Sequence, residues 1–152
     1  MSPAPVSLAG LLAEGSIERV SVDPHVATNL LRQARNHLRT ADAGASGGDH
    51  EGAFQLAYDA CRKTCLALVL ATGLRPKGAA AHAVTFEAAA VIAANFGARQ
   101  VVADASNLRF VRHGAEYRAE TVSAEDVHDA ISIGGELLED LAPRVEQILS
   151  SS

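Results

Sequence analysis

The sequence predicts an all-α fold, an antiparallel bundle of four to five helices, and three observations lead to this prediction. Apolar residues recur at steps of three and four through most of the chain, which is the period of a buried helix face. Alternating strand patterns are almost absent, and the connections between periodic segments are short, which favours antiparallel neighbours. With 152 residues, of which 48% are hydrophobic and 20% charged, the chain has the composition of a folded domain. We divide it into a lead-in segment, residues 1–22, and a bundle domain, residues 23–152.

A loose lead-in helix and two longer helices are predicted in the first half of the chain. Residues 6 to 18 predict the lead-in helix, which two glycines weaken. Asp23 followed by a proline is typical of a helix start, and apolar residues at helical spacing continue to about residue 43. Asp49 is the predicted N-cap of the next helix, whose apolar seam ends before Gly73.

Three further helices are predicted in the second half. An alanine-rich stretch from about residue 79 to 95 suits close helix–helix approach, and another helical pattern runs from 98 to about 118. Ser123 is the predicted N-cap of the last helix, whose apolar residues alternate steps of four and three. Gly134 on this seam predicts a point of close approach. Pro143 is expected to kink this helix or to end its regular part.

The charge and the cysteines exclude several classes of protein. A net charge of −5 disfavours broad coating of nucleic acid but leaves room for a small basic pocket. Cys61 and Cys65 lie four residues apart on one helix face, so we expect two buried, reduced thiols. The first residues lack the pattern of a signal peptide, and no apolar stretch is long enough to span a bilayer. We therefore expect a cytoplasmic protein with no membrane partner.

No metal or cofactor site is predicted. A di-iron bundle requires two Glu-x-x-His motifs, whereas the chain has one match, Glu125 to His128, in the exposed first turn of a helix. His50 and Glu51 lack the second histidine of a zinc protease motif. The glycine-rich stretches match neither phosphate-binding loop spacing, and there is no Gly-x-Ser-x-Gly motif.

The densest polar cluster of the chain lies between residues 107 and 118. On a helix, Arg109, His113 and Tyr117 fall one above another at four-residue steps, with Arg112 and Glu116 on the neighbouring stripe. Such a patch is able to bind a phosphate and offers an imidazole, which titrates near neutral pH. The simpler alternative is a solvated helix face with an internal Arg112–Glu116 ion pair.

From about residue 49 to 149 the chain resembles the HEPN domain, a small α-helical family. Residues 58–78 look like the second helix of that family and its exit turn, and His82 is placed like a recurrent histidine. Residues 112–117 resemble the family's hallmark, in which an arginine and a polar residue precede a histidine. Residues 123–149 resemble the final helix, and the whole is most similar to a small actinobacterial-type group.

This resemblance implies an RNA-directed function. Many HEPN proteins are metal-independent endoribonucleases of toxin–antitoxin or defence systems, often encoded beside a nucleotidyltransferase, and they usually dimerise. By this resemblance, Arg112, His113 and Tyr117 are the candidate catalytic residues, and Arg109, Arg112 and Arg118 are the candidate nucleic-acid contacts. The expected partners are RNA or a nucleotide, a second copy of the chain, and an antitoxin or nucleotidyltransferase.

The sequence departs from the family pattern at the position of the motif histidine. Tyr117 stands there, and a phenol with a pKa near 10 is a poor base at neutral pH. The leading hypothesis is therefore a HEPN-like domain with a degenerate motif that binds RNA, a nucleotide or a protein partner. The alternative is an active endoribonuclease toxin that uses Arg112 and His113. A third hypothesis is an interaction module that uses its alanine-rich helices.

Overall fold

The computed structural model describes residues 5–119 and 121–151, and for Glu116 and Tyr117 it describes the backbone alone. The elements in chain order are α1 (Leu8–Ala13), β1 (Ile17–Arg19), α2 (Pro24–Ser46), α3 (His50–Ala71), β2 (Leu74–Pro76), α4 (Ala81–Ala93) with a 3₁₀ turn (Ala94–Phe96), α5 (Arg99–Tyr117) and α6 (Ala124–Ser150). The five long helices confirm the predicted all-α bundle.

Helix α3 is the centre of the bundle and packs against α2, α4, α5 and α6. Its apolar seam is fully buried, as the four-and-three spacing predicts. Cys61 and Cys65 lie on this seam, and both are buried free thiols, which confirms that prediction. Burial raises the pKa of Cys61 to about 12, and it also raises the pKa of Cys65, so both remain protonated at neutral pH.

The helix starts follow from local hydrogen bonds that the sequence predicts. The Asp23 side chain accepts from the backbone N–H of His25 at 3.0 Å, and Asp49 accepts from that of Gly52 at 3.0 Å. Ser123 accepts from the N–H of Asp126 at 3.0 Å, and the Asp126 carboxylate accepts in return from the N–H of Ser123 at 3.3 Å.

α2 ends later than the sequence predicts, and α6 passes through Pro143, so of the two outcomes expected there an end of the helix is excluded. α2 continues past residue 43 to Ser46, because Gly44 packs within the helix against α3, and a Cβ there would lie 3.6 Å from Ala53 Cβ. The chain turns later, at Gly48, whose φ of 87° is easy for glycine. α6 does not end at Pro143 but continues to Ser150. Pro143 is exposed, so the carbonyl that lacks its N–H partner lies on the solvent side.

The prediction of a single lead-in helix over residues 6–18 is wrong. α1 ends at Ala13, and a turn at Gly15, with φ 78°, leads into β1. β1 pairs antiparallel with β2, with Glu18 opposite Arg75. A strand of three residues is too short to show an alternating pattern, so the sequence carries little signal for this pair. Among the described helices, none is long and apolar enough to cross a bilayer.

Gly134 is a point of close approach, as predicted, and valine there is expected to destabilise the fold. A Cβ at this position would lie 2.8 Å from Leu38 Cδ2 and 3.6 Å from Cys61 Sγ, where α6 meets α2 and α3. Overpacking such a contact costs about 1–3 kcal/mol. Denaturant unfolding of Gly134→Val measures this loss. Gly135→Val is the matched control, because nothing lies within 4 Å of its Cβ; an equal loss in both variants would contradict the packing argument.

Candidate functional site

A cleft of about 520 Å³ lies where the start of α4 meets α3 and the second half of α5. We call it the α4 cleft. It is lined by Tyr58 of α3, by residues 78–83 at the start of α4, and by Arg109, Arg112 and His113 of α5. Three helices therefore contribute side chains to one concave surface.

Arg112 lies over the face of a buried aromatic ring in this cleft. Its guanidinium carbon Cζ is 5.2 Å from the ring centroid of Tyr58. Tyr58 is 1% exposed, and its ring packs on Phe86 with 6.1 Å between centroids and 52° between planes. The negative face of a buried ring attracts a cation and restricts its position. Tyr58 therefore supports the Arg112 guanidinium from below.

Two more arginines add positive charge around the cleft. Arg109 donates from Nε to the Ser106 carbonyl at 3.0 Å, which orients its side chain along α5. Arg62 lies one helical turn after Tyr58 on α3, and its buried Nε has no hydrogen-bond acceptor among the described residues. The carboxylate of Asp59 opposes the effect of the arginines on the pKa values of Tyr58 and His82.

The surroundings favour the neutral forms of His82 and Tyr58 in the cleft. Burial lowers the pKa of His82, and the Arg62 and Arg112 charges lower it further, against the opposing effect of Asp59. Burial also raises the pKa of Tyr58, an effect that the neighbouring arginines only partly oppose. At neutral pH the His82 imidazole is thus neutral and the Tyr58 phenol protonated, with guanidinium groups beside both.

The structure brings together part of the set of site residues that the sequence predicts. Arg109, Arg112 and His113 line the same cleft. Arg112 and His113 do so although adjacent residues of a helix point in different directions. Arg118 is exposed at the end of α5 and is not among the lining residues. The side chain of Tyr117 lies outside the described residues, and the predicted Arg112–Glu116 pair falls outside them for the same reason.

Sequence reasoning missed Tyr58 and Arg62 as parts of the site. The spacing assigned Tyr58 to a buried seam, and the residue is indeed buried, but it also borders the cleft. The available signal was a tyrosine, rather than a phenylalanine, on the buried face of a helix and one turn before an arginine. His82 was noticed through the family resemblance, whereas its proximity to Arg112 is visible only in the fold.

No metal site accompanies the cleft: across residues 5–119 and 121–151, His, Cys, Asp and Glu side chains form no group of three able to hold an ion. Glu125 and His128 are both exposed at the start of α6. They lie on the solvated face that the sequence indicated.

Comparison with known proteins assigns the family. A family model for the HEPN domain matches residues 27–145, a range that includes every residue of the α4 cleft. The chain belongs to the HEPN family. No curated protein matches the chain, and no solved structure matches it. HEPN domains often are nuclease-like or nucleotide-binding, and they often form dimers and bind RNA.

The depressed pKa of His82 predicts a pH dependence of stability. Unfolding returns this pKa to its ordinary value of 6.5, so below that pH the unfolded chain binds more protons than the native HEPN domain. The contribution of His82 to stability is therefore present above pH 6.5 and is lost as the pH falls through its native pKa.

This is measured as the difference in unfolding free energy between wild type and His82→Gln from about pH 8 to pH 5. We expect wild type to lose stability relative to the variant as the pH falls. A difference that stays constant over this range would contradict the argument.

Proposed function

We propose that this HEPN domain binds RNA at the α4 cleft through backbone phosphates and holds it without cutting it. The observation that carries the proposal is the convergence of Arg109, Arg112 and His113 in one concave surface of a protein with net charge −5. An overall acidic chain repels nucleic acid from most of its surface, so a local cationic cleft selects where a strand is able to bind.

The chemistry of the cleft suits a phosphodiester. A guanidinium presents a planar fork of N–H donors that matches two phosphate oxygens, and Arg112 is held in place by the Tyr58 ring. Arg109 adds a second positive charge on the same helix. Single-stranded RNA has exposed phosphates and unstacked bases, which are able to contact a surface of this kind.

The replacement of the motif histidine favours binding over cleavage. RNA cleavage without a metal requires a base that removes the proton of the 2′-hydroxyl as that oxygen attacks the adjacent phosphorus. Tyr117 stands where the family motif has this histidine, and a phenol is a weak base at neutral pH. The arginine that stabilises phosphate charge is retained, so the ability to bind survives the substitution.

The alternative function is metal-independent RNA cleavage, and the position of His113 in the same cleft as Arg112 favours it. In this reaction His113 accepts the 2′-hydroxyl proton, the new O–P bond forms, and the bond to the 5′-oxygen breaks. The products are a 2′,3′-cyclic phosphate and a 5′-hydroxyl, and water supplies the proton of this hydroxyl. Arg112 stabilises the charge that develops on the phosphate oxygens.

The dimeric state and the cellular role belong to the same proposal. A homodimer would place two α4 clefts on one strand and raise the affinity through two linked contacts. A cytoplasmic toxin–antitoxin or defence role, with an antitoxin or nucleotidyltransferase partner, follows from the family resemblance and from nothing in the cleft itself.

RNA binding is tested with a short, fluorescently labelled single strand by anisotropy, at salt concentrations from about 50 to 200 mM. We expect Arg112→Gln to weaken binding about tenfold or more, because one charge-assisted phosphate contact is lost. The slope of log affinity against log salt should fall by about one.

Arg35→Gln is the matched control, since Arg35 is exposed on α2, 3.5 Å from Glu146 and outside the cleft. Equal losses in the two variants would contradict binding at the α4 cleft.

Cleavage is tested by incubating the same RNA with wild-type protein in EDTA. The proposed function predicts intact RNA. Cyclic-phosphate products that disappear in both Arg112→Gln and His113→Ala would instead establish the alternative. Cleavage that persists in both variants would place catalysis outside this cleft or in a contaminant.

A further inference from the structure

Phe110 on α5 is an aromatic residue that the fold leaves in solvent, with 68% of its surface exposed. Of the other three phenylalanines, Phe54 and Phe86 are buried in the core and Phe96 is half-buried. Among the described residues, the remaining exposed large apolar side chains are three valines of the first 26 positions. Water around a phenyl ring is unfavourable, so a flat apolar ligand that covers this ring gains free energy.

The Phe110 ring lies at the edge of the α4 cleft. Arg109 lines the cleft, and its guanidinium carbon Cζ is also 5.8 Å from the ring centroid of Phe110. One arginine is therefore shared between the cleft and the exposed ring. Because each nucleotide carries a base beside its phosphate, a strand with a phosphate at Arg109 brings a base close to Phe110.

The neighbours of Phe110 on the surface of α5 leave its ring accessible. Ser106 and Asn107 lie one turn before it. His113 and Gly114 lie one turn after it. None of these four residues is acidic, so the surface next to the ring does not repel a phosphate strand. A side chain one turn later on a helix leans back over the preceding turn, whereas Gly114 has no side chain to cover Phe110.

A second copy of the chain suits this surface less well than an RNA strand does. A two-fold contact centred on Phe110 brings the Arg109 side chains of both copies together, because each lies against its own ring. These like charges repel each other, whereas the phosphates of a nucleic acid attract them.

We propose that Phe110 stacks on one unpaired base of an RNA strand whose phosphate binds at the α4 cleft. This inference rests on the proposed function and specifies the ligand as single-stranded at the cleft, because bases inside a duplex are already stacked on both faces. Stacking requires only the π face that every base has, so we expect little preference for one base over another.

The stacking contact is tested by anisotropy with the labelled single strand. Phe110→Ala should weaken binding about 5- to 150-fold, the usual range for the loss of one base–aromatic stack. Phe110→Tyr should retain the affinity of wild type. Because the ring is exposed, Phe110→Ala should leave the melting temperature unchanged. Val26→Ala is the matched control, since Val26 is 44% exposed on α2 and does not line the cleft; an equal loss in this variant would overturn the proposal.

A strand of the same length with abasic sugars separates stacking from phosphate contacts. Wild type should bind this strand more weakly than the complete one, and Phe110→Ala should cause no further loss with it. A loss of affinity by Phe110→Ala that is equal for both strands would overturn the assignment of the ring to a base.

A tryptophan at position 110 reports on the contact directly, because the chain has no tryptophan of its own. Stacking of a base should quench the fluorescence of Phe110→Trp, and the abasic strand should leave it unchanged. Unchanged fluorescence at saturation with the complete strand would overturn the proposal.

Sedimentation equilibrium without RNA tests whether a second copy covers the ring instead. Wild type and Phe110→Ala should show the same state of association. A wild-type dimer that dissociates in Phe110→Ala would overturn the proposal, because the ring would then be buried between two copies.

The two arginine and phenylalanine variants distinguish this inference from the proposed function. RNA binding that Arg112→Gln weakens and Phe110→Ala does not overturns the stacking contact and leaves the proposed function standing. Binding that Phe110→Ala weakens and Arg112→Gln does not supports the stacking contact and overturns phosphate binding at the α4 cleft. Weakening by both variants supports both.

Discussion

The stacking of the Arg112 guanidinium on the buried Tyr58 ring is the contact on which the candidate site depends. A long, flexible arginine in water samples many positions, whereas an arginine over an aromatic face that is itself packed on Phe86 samples few. The packed core fixes the Tyr58 ring, and the ring in turn restricts the position of the Arg112 guanidinium at the surface. This is how an interior built mainly from small aliphatic side chains supports a defined cationic group.

The central position of α3 explains why this contact is possible. Because α3 packs against four other helices, Tyr58 has neighbours on α4 and α5 as well as its own helix. At Gly134, α6 lies close to α2 and α3, and this packing helps hold α3 in place. The site therefore inherits its geometry from packing at some distance from the charges.

Much of the fold follows from the sequence because its signals are local. Three N-caps and the four-and-three seams are properties of short segments, and they locate the long helices to within a few residues. The site follows less well, because it depends on contacts between segments far apart in the chain. Spacing on α5 predicts that Arg109 and His113 share a face, but it carries no information on Tyr58 beneath Arg112.

The small β1–β2 ladder has a consequence for where this protein is divided. β2 leads directly into the turn before α4. The lead-in segment holds this turn through a hydrogen bond, in which the Ser16 carbonyl accepts from the N–H of Lys77 at 2.9 Å. Glu18 adds a side-chain bond from Arg75 Nε at 2.9 Å. The HEPN match begins at residue 27 and so excludes this fastening. A chain trimmed to the family boundary would keep every lining residue and lose the hydrogen bonds that hold the turn before α4.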